Sequence, residues 1–407
     1  MSINKLPNEC LYMILDHFNG FEELIRLSKV CSRWSDLITL RFNRVKYLQM
    51  MSGRKVKVDY GAYSLMMPDD TYMIMYDEVD YIDANSLWIN PNTNWNDYNL
   101  FEWFPNIKII NTASLRPYES YNLPEIVKNN PQIKGLIGMD HLHEDGYLEN
   151  IEMCDSEFNF DYKKVFRPDQ LKQVRCYDFH MKDLPSFIEY FPNLKRLNLR
   201  LYKGSGKWWK SNVPDGVFYN GPNLSSLKIL ELITGDLVKQ FTGFHFMDFC
   251  PSLESAFFYC WAKDVYIDES IKNYNLRDLN IVNFQFDSFS WPLLKKLVSK
   301  FPNVQHLAIR YIAELVVSKF HLDELIKLLP KLKLLDLRVS NTFKSDDFLS
   351  KYCVKENRPI ELYYSRTNEP TEWPKLDETD EPICYGFDFM KHCFYKTSDC
   401  LPDLIDE

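Results

Sequence analysis

Phe191-Pro192-Asn193-Leu194-Lys195-Arg196-Leu197-Asn198-Leu199 is the stretch whose reading decides the fold of this 407-residue chain. It opens on a turn and runs on as Leu-x-x-Leu-x-Leu, so in an extended segment Leu197 and Leu199 share one side. Just before it, Leu184–Tyr190 reads as a helix. Related phrases begin at Phe104, Pro131, Pro168, Pro222, Pro251, Tyr274, Phe301 and Pro330, with a weaker copy at Pro359. From Pro105 to Pro330 the mean interval is about 28 residues. Helical stretches at Trp291–Lys300 and Leu322–Leu329 precede two further copies. A unit of this kind exposes an apolar face when alone and buries it only by stacking on its neighbours.

This recurrence of helix, turn and short strand resembles the irregular leucine-rich repeats. The resemblance implies an α/β fold over residues 46–366: a curved solenoid with parallel strands inside and helices outside. A doubly wound sheet uses the same alternation, but the short strands and the recurrent Pro-x-Leu favour the solenoid. The copies at 192, 222, 302 and 330 are the clearest, and the Asn ladder position is not consistently kept. Residues 46–103 are the least legible. Val56–Tyr60 and Tyr72–Tyr76 read there as strands that cap the array.

Working back to the N-terminus, Leu11, Ile14, Leu15 and Phe18 follow the helical period. Pro7 suits a first helical turn, and Asn19-Gly20 is a stop signal. A second short helix carries Leu24, Leu27 and Val30, and a third carries Trp34, Leu37 and Ile38. The run Leu11–Leu15 is apolar or aromatic throughout. Three short helices cannot bury that much surface among themselves, so the remainder needs a partner, in this chain or another.

The anchors Leu6, Pro7, Glu9, Leu11, Ile14, Phe18, Leu24, Leu27, Val30, Cys31, Trp34 and Leu37 stand in the register of the F-box, which residues 1–45 closely resemble. The resemblance implies docking on the Skp adaptor and, through it, on a cullin–RING ubiquitin ligase (the SCF assembly). The implied docking set is Leu6, Pro7, Ile14, Leu24, Leu27, Val30, Cys31, Trp34 and Leu37. Some of these belong to the interior of the three helices, and sequence does not divide them. A chain of this kind is expected to be a non-catalytic substrate receptor, holding an unknown protein on its repeats. The alternative is an interaction scaffold that does not drive degradation.

Strand parity says where a substrate would sit. If Leu197 and Leu199 point into the core, Arg196, Asn198 and Arg200 line the concave face. The same parity exposes Phe257, Tyr259, His306, Arg310 and Arg338 in later copies. Aromatic and arginine side chains in such slots are the types that dominate binding energy. A slip of one residue would send them into the core instead. The loop 203–216, with Trp208 and Trp209 among three lysines, reads as a surface loop or a further contact.

Composition narrows the function classes. The chain holds 48 Lys and Arg against 57 Asp and Glu, a net charge of −9, which argues against an electrostatic grip on nucleic acid or anionic lipid. Residues 68–102 carry eight acids and no Lys or Arg, and the tail 367–407 carries eleven acids against three lysines. No run of 18 apolar residues and no secretory signal is present, so ten scattered cysteines read as reduced thiols. The chain is thus expected inside the cell, in cytoplasm or nucleus. No nucleophile, metal or phosphate-loop motif is found: His141 and His143 lack a second ligand pair, and Gly204-Ser205-Gly206-Lys207 is followed by Trp208 where a hydroxyl must hold the metal. Neither an enzyme nor a bound cofactor is expected.

Overall fold

The computed structural model describes residues 3–18, 21–43, 45, 47–50, 86–89, 100–112, 123–138, 147–156, 158, 160–176, 181–201, 218–234, 238–260, 262–283, 290–310, 319–337 and 360–363. The chain divides into two compact units, residues 1–167 and 168–407.

The first unit opens with a 3-10 turn, Ile3–Lys5, and three helices: α1 (Asn8–Leu15), α2 (Phe21–Ser28) and α3 (Ser32–Phe42). Helix α1 turns Leu11 and Leu15 inward, and α3 buries Trp34, Leu37, Ile38, Arg41 and Phe42. Polar side chains on α3 tie the preceding segments down. Arg33 donates to Asn4 O (2.7 Å), Leu6 O (2.6 Å) and Asn8 Oδ1 (2.8 Å), and Trp34 Nε1 donates to Asn4 Oδ1 (3.0 Å). The buried Arg41 donates to Leu15 O and Phe18 O, tying α3 to the end of α1 and the turn after it.

Strands β1 (Tyr47–Met50), β2 (Ser86–Ile89), β3 (Ile109–Asn111), β4 (Gly135–Ile137) and β5 (Met153–Ser156) follow, with short helices α4 (Leu100–Trp103), α5 (Leu123–Asn129) and α6 (Tyr162–Val165). The strands lie in the order β2-β1-β3-β4-β5, all parallel.

The second unit repeats the theme on a larger scale. Its strands are β6 (Gln173–Cys176), β7 (Arg196–Leu201), β8 (Ile229–Thr234), β9 (Val238–Phe241), β10 (Ser255–Cys260), β11 (Ala262–Val265), β12 (Asp278–Asn283), β13 (His306–Arg310), β14 (Leu334–Asp336) and β15 (Glu361–Tyr363). Helices α7 (Leu184–Tyr190), α8 (Gly243–Phe246), α9 (Trp291–Lys300) and α10 (Lys319–Leu328) lie between them. The parallel order is β6-β7-β8-β10-β12-β13-β14-β15, while β9 and β11 pair apart from it. This is the α/β repeat architecture expected from the recurring phrase: each quoted copy from Phe104 to Pro359 runs into a parallel strand.

Register shows why the phrase recurs. Val174, Leu197, Leu230, Ala256, Leu279, Leu307 and Leu335 stand side by side in one row, and every one is fully buried. The next inward row is Cys176, Leu199, Leu232, Phe258, Ile281 and Ile309, equally buried. The residue entering each strand donates to its counterpart one repeat earlier: Lys195 to Lys172, Lys228 to Lys195, Glu254 to Lys228, Arg277 to Glu254, Gln305 to Arg277, all at 2.7–2.9 Å. The Asn of the turn adds a side-chain link back to the preceding turn. Asn193 donates to Asp169 O, Asn275 to Pro251 O and Asn303 to Tyr274 O. Each link satisfies a backbone carbonyl that no sheet ladder reaches.

One buried ion pair stabilises the helical side. Lys300, at the end of α9, donates to Asp268 O and Ile271 O and pairs with Asp248. Burial pushes the Asp248 carboxyl up from its ordinary range, against the pull of Lys300.

One unit lacks the recurring phrase. Strand β5 is reached from Leu148-Glu149-Asn150-Ile151-Glu152-Met153, a copy without its Pro, and Glu152 donates to Lys134 O as the other copies do. The stretches Val56–Tyr60 and Tyr72–Tyr76 lie outside the described residues.

Candidate protein-docking sites

The three N-terminal helices leave apolar groups outside. Of the nine residues implied as a docking set, Pro7 and Val30 are exposed, and Leu6, Ile14, Leu27 and Cys31 are half-buried. Leu24, Trp34 and Leu37 are buried, so these three form interior rather than surface. The helical period explains the division: Trp34 and Leu37 lie on the stripe of α3 that carries Ile38 and Arg41 into the core. Val30 lies beyond the end of α2 and stands 55% exposed. Three further apolar side chains are open: Met13 at 69%, Leu40 and Ile3. Met13 was legible in the unbroken apolar run of α1, whereas Leu40 had no sequence signal of its own.

The second candidate is the face of the repeat sheet opposite the leucine rows. Parity places Arg196, Arg200, Phe257, Tyr259, His306 and Arg310 there, in register with Gln173, Glu231, Asp278 and Asp336 on neighbouring strands. Arg338 lies outside the described residues, as do the loop 203–216, His141, His143 and the tail 367–407. The expected exposure of this row is corrected. Arg196, Phe257, His306 and Arg310 are buried, and Arg200 and Tyr259 are half-buried.

Cross-strand pairing is the reason. Arg196 Nε donates to Glu231 Oε2 (2.8 Å) and its terminal nitrogen to Oε1 (3.0 Å), a bidentate pair with both side chains fully buried. Asp278 sits between two neighbours in its own row. It accepts from Ser255 Oγ at 2.6 Å and from His306 Nδ1 at 2.6 Å. Arg310 pairs with Asp336 one strand further on. Strands only about 4.8 Å apart bring such groups together directly. A parity argument sees one strand at a time and so takes each of them for an open slot.

The Ser255–Asp278–His306 row puts the carboxylate in the middle, so the imidazole does not touch the serine hydroxyl and does not activate it. Among the described residues, no group of three or more His, Cys, Asp or Glu is arranged to hold a metal ion, and no helix is long and apolar enough to cross a membrane.

Residues 3–46 match the family model of the F-box domain. A search of curated proteins returned no match. Among solved structures, the chain is similar to the crystal structure of an internalin from Listeria monocytogenes str. 4b F2365, at 12% identity and a TM-score of 0.28, over 66% of this chain and 78% of that one.

Proposed function

We propose that this chain, an F-box domain followed by leucine-rich repeats, is the substrate-recognition subunit of an SCF ubiquitin ligase. F-box domains generally bind the Skp adaptor in such complexes, and the observation that carries the reading is the F-box at residues 3–46 with apolar side chains left uncovered on it. Val30, Met13, Leu40 and Pro7 are the kind of surface that a stable partner covers. The adaptor supplies the link to cullin and RING subunits, and the chain performs no chemistry itself. Its contribution is proximity: a protein held on the repeat sheet meets the ligase at high effective concentration. The work belongs inside the cell, in cytoplasm or nucleus, where ubiquitin-dependent degradation takes place.

The test is co-purification of Skp adaptor and cullin with the full chain and with Val30→Asp. Loss of both from the variant, at unchanged circular dichroism, is expected. Equal recovery by the two chains removes the reading. Recovery of adaptor without cullin replaces it with the scaffold reading.

A further inference from the structure

Two side chains on the repeat sheet hold hydrogen-bonding capacity that the fold does not use. Gln173 on β6 and Asn198 on β7 are 0% and 1% exposed, and among the described residues neither the oxygen nor the nitrogen of either carboxamide has a hydrogen-bond partner. Four polar atoms are therefore buried and unsatisfied on adjacent strands. Leaving a buried donor or acceptor unmade costs about 1–3 kcal/mol each. Buried polar groups in folded proteins are as a rule paired, so a cluster of exceptions asks for an occupant.

The placement of the two carboxamides says what the occupant is. Gln173 pairs in register with Arg196, and Arg175 with Asn198, so Gln173 and Asn198 are diagonal neighbours two positions apart. Both lie on the face opposite Val174, Leu197 and Leu199. Diagonal neighbours across two strands are separated by about 7–8 Å. An extended chain presents its peptide groups to the same side every two residues, a repeat of about 6.6 Å. Two residues so placed lie within reach of two such peptide groups. Each carboxamide offers a donor and an acceptor in one plane, and each peptide group offers an acceptor and a donor in return.

Charge argues in the same direction. Arg196, in register with Gln173 and two residues before Asn198, is held bidentately by Glu231 with both groups fully buried. A charged side chain inserted here would disturb that pair, whereas a main-chain amide brings no net charge.

We propose that Gln173 and Asn198 read the main chain of an extended segment of the protein held on the repeats, bonding peptide groups two residues apart. The proposal rests on the reading of this sheet face as the substrate face. It differs from that reading in naming uncharged backbone, rather than arginine- or aromatic-seeking side chains, as what the first two strands of this unit recognise. Because both amides are buried, a bound segment has to displace whatever covers them, so slow association is expected.

The experiment uses the full chain and a phage-displayed library of random twelve-residue peptides. Peptides are selected on the wild type and counter-selected on Gln173→Met with Asn198→Leu. A selected peptide is then synthesised with each main-chain nitrogen methylated in turn and titrated against the wild type. The expected result is at least a tenfold loss at two positions spaced two residues apart, and a loss of similar size on the double variant. The methylation scan stands even where the variant fails to fold. Enrichment of the same peptides on both proteins, enrichment on neither, or a scan without the two-residue spacing overturns the proposal. A water molecule bonded to the two amides is the other way to satisfy them. It shows as a changed melting temperature in the double variant with peptide selection unaffected, which also overturns it. Tyr259→Ala separates this failure from that of the wider reading. Binding lost there but kept by the double variant leaves the substrate face standing without the carboxamide pair.

Discussion

Among the N-terminal helices Val30 and Met13 stand more than half exposed, while in the row opposite the leucines even Arg196 on β7 and Arg310 on β13 are buried. Both regions are built from short elements with one strongly apolar side. They differ in what lies next to each element. A helix in a three-helix unit has two neighbours and a full circumference to cover, so part of its apolar surface is left over. A strand in a repeat array has a like neighbour on each side, in register, so polar groups of the far face find one another across a strand gap. The first arrangement leaves a surface that wants a partner. The second leaves a sheet whose charges are already committed, with the Gln173 and Asn198 carboxamides as its unspent capacity.

The contrast is sharpest where a charge is removed from the sheet. Arg196→Met leaves the fully buried Glu231 without its bidentate partner. Breaking such a pair from one side costs about 3–5 kcal/mol, and chemical denaturation of the full chain should show a loss of that size. A loss under about 1 kcal/mol would mean the row is open to water, and the contrast between the two regions would fall.

Within the helices, Trp34→Ala should act on folding rather than on docking alone. Trp34 is 7% exposed and its indole N–H is bonded to Asn4 Oδ1. Truncating a buried tryptophan costs about 3 kcal/mol or more, to be seen as a lower melting temperature of the N-terminal unit. An unchanged melt would return Trp34 to the docking surface.

Val30→Asp is the opposite case. Folding stability should stay within about 0.5 kcal/mol, because the side chain is more than half exposed. Affinity for the Skp adaptor should fall by about 2 kcal/mol, roughly thirtyfold in Kd, measured by calorimetry. A stability loss equal to the binding loss would show that Val30 supports the helices instead.

The smallest effect belongs to the Asp278 row. Ser255→Ala removes one of the two hydrogen bonds to that carboxylate and leaves the His306 bond in place. A loss of about 1.5 kcal/mol in unfolding free energy is expected. No change would mean that Asp278 is held by His306 alone.

Much of the fold was legible because stacking repeats a constraint. Each inward position must be apolar in every copy, so Leu197, Leu230, Leu279, Leu307 and Leu335 announce their row without any knowledge of the neighbours. The copy at Leu148–Met153 escaped because its turn has no Pro, although its strand takes the same backbone bond as the rest. The F-box anchors were legible for a similar reason, since three short helices allow few ways to pack. Their division into surface and interior was less so. Leu24 and Leu27 sit on one helical stripe, yet one is buried and the other half-buried, a difference made by what packs over each.

By itself the sequence determined the period, the parity and the place of the three N-terminal helices, since these follow from local spacing of apolar residues. Only the tertiary structure decided the state of the polar face. Whether Arg196 is an open reader or a buried partner of Glu231 depends on a residue 35 positions away, brought within 2.8 Å by the register of two parallel strands. That Gln173 and Asn198 are left without partners is likewise a fact of register. It comes from which side chains the neighbouring strands present, and no spacing along a single strand records it.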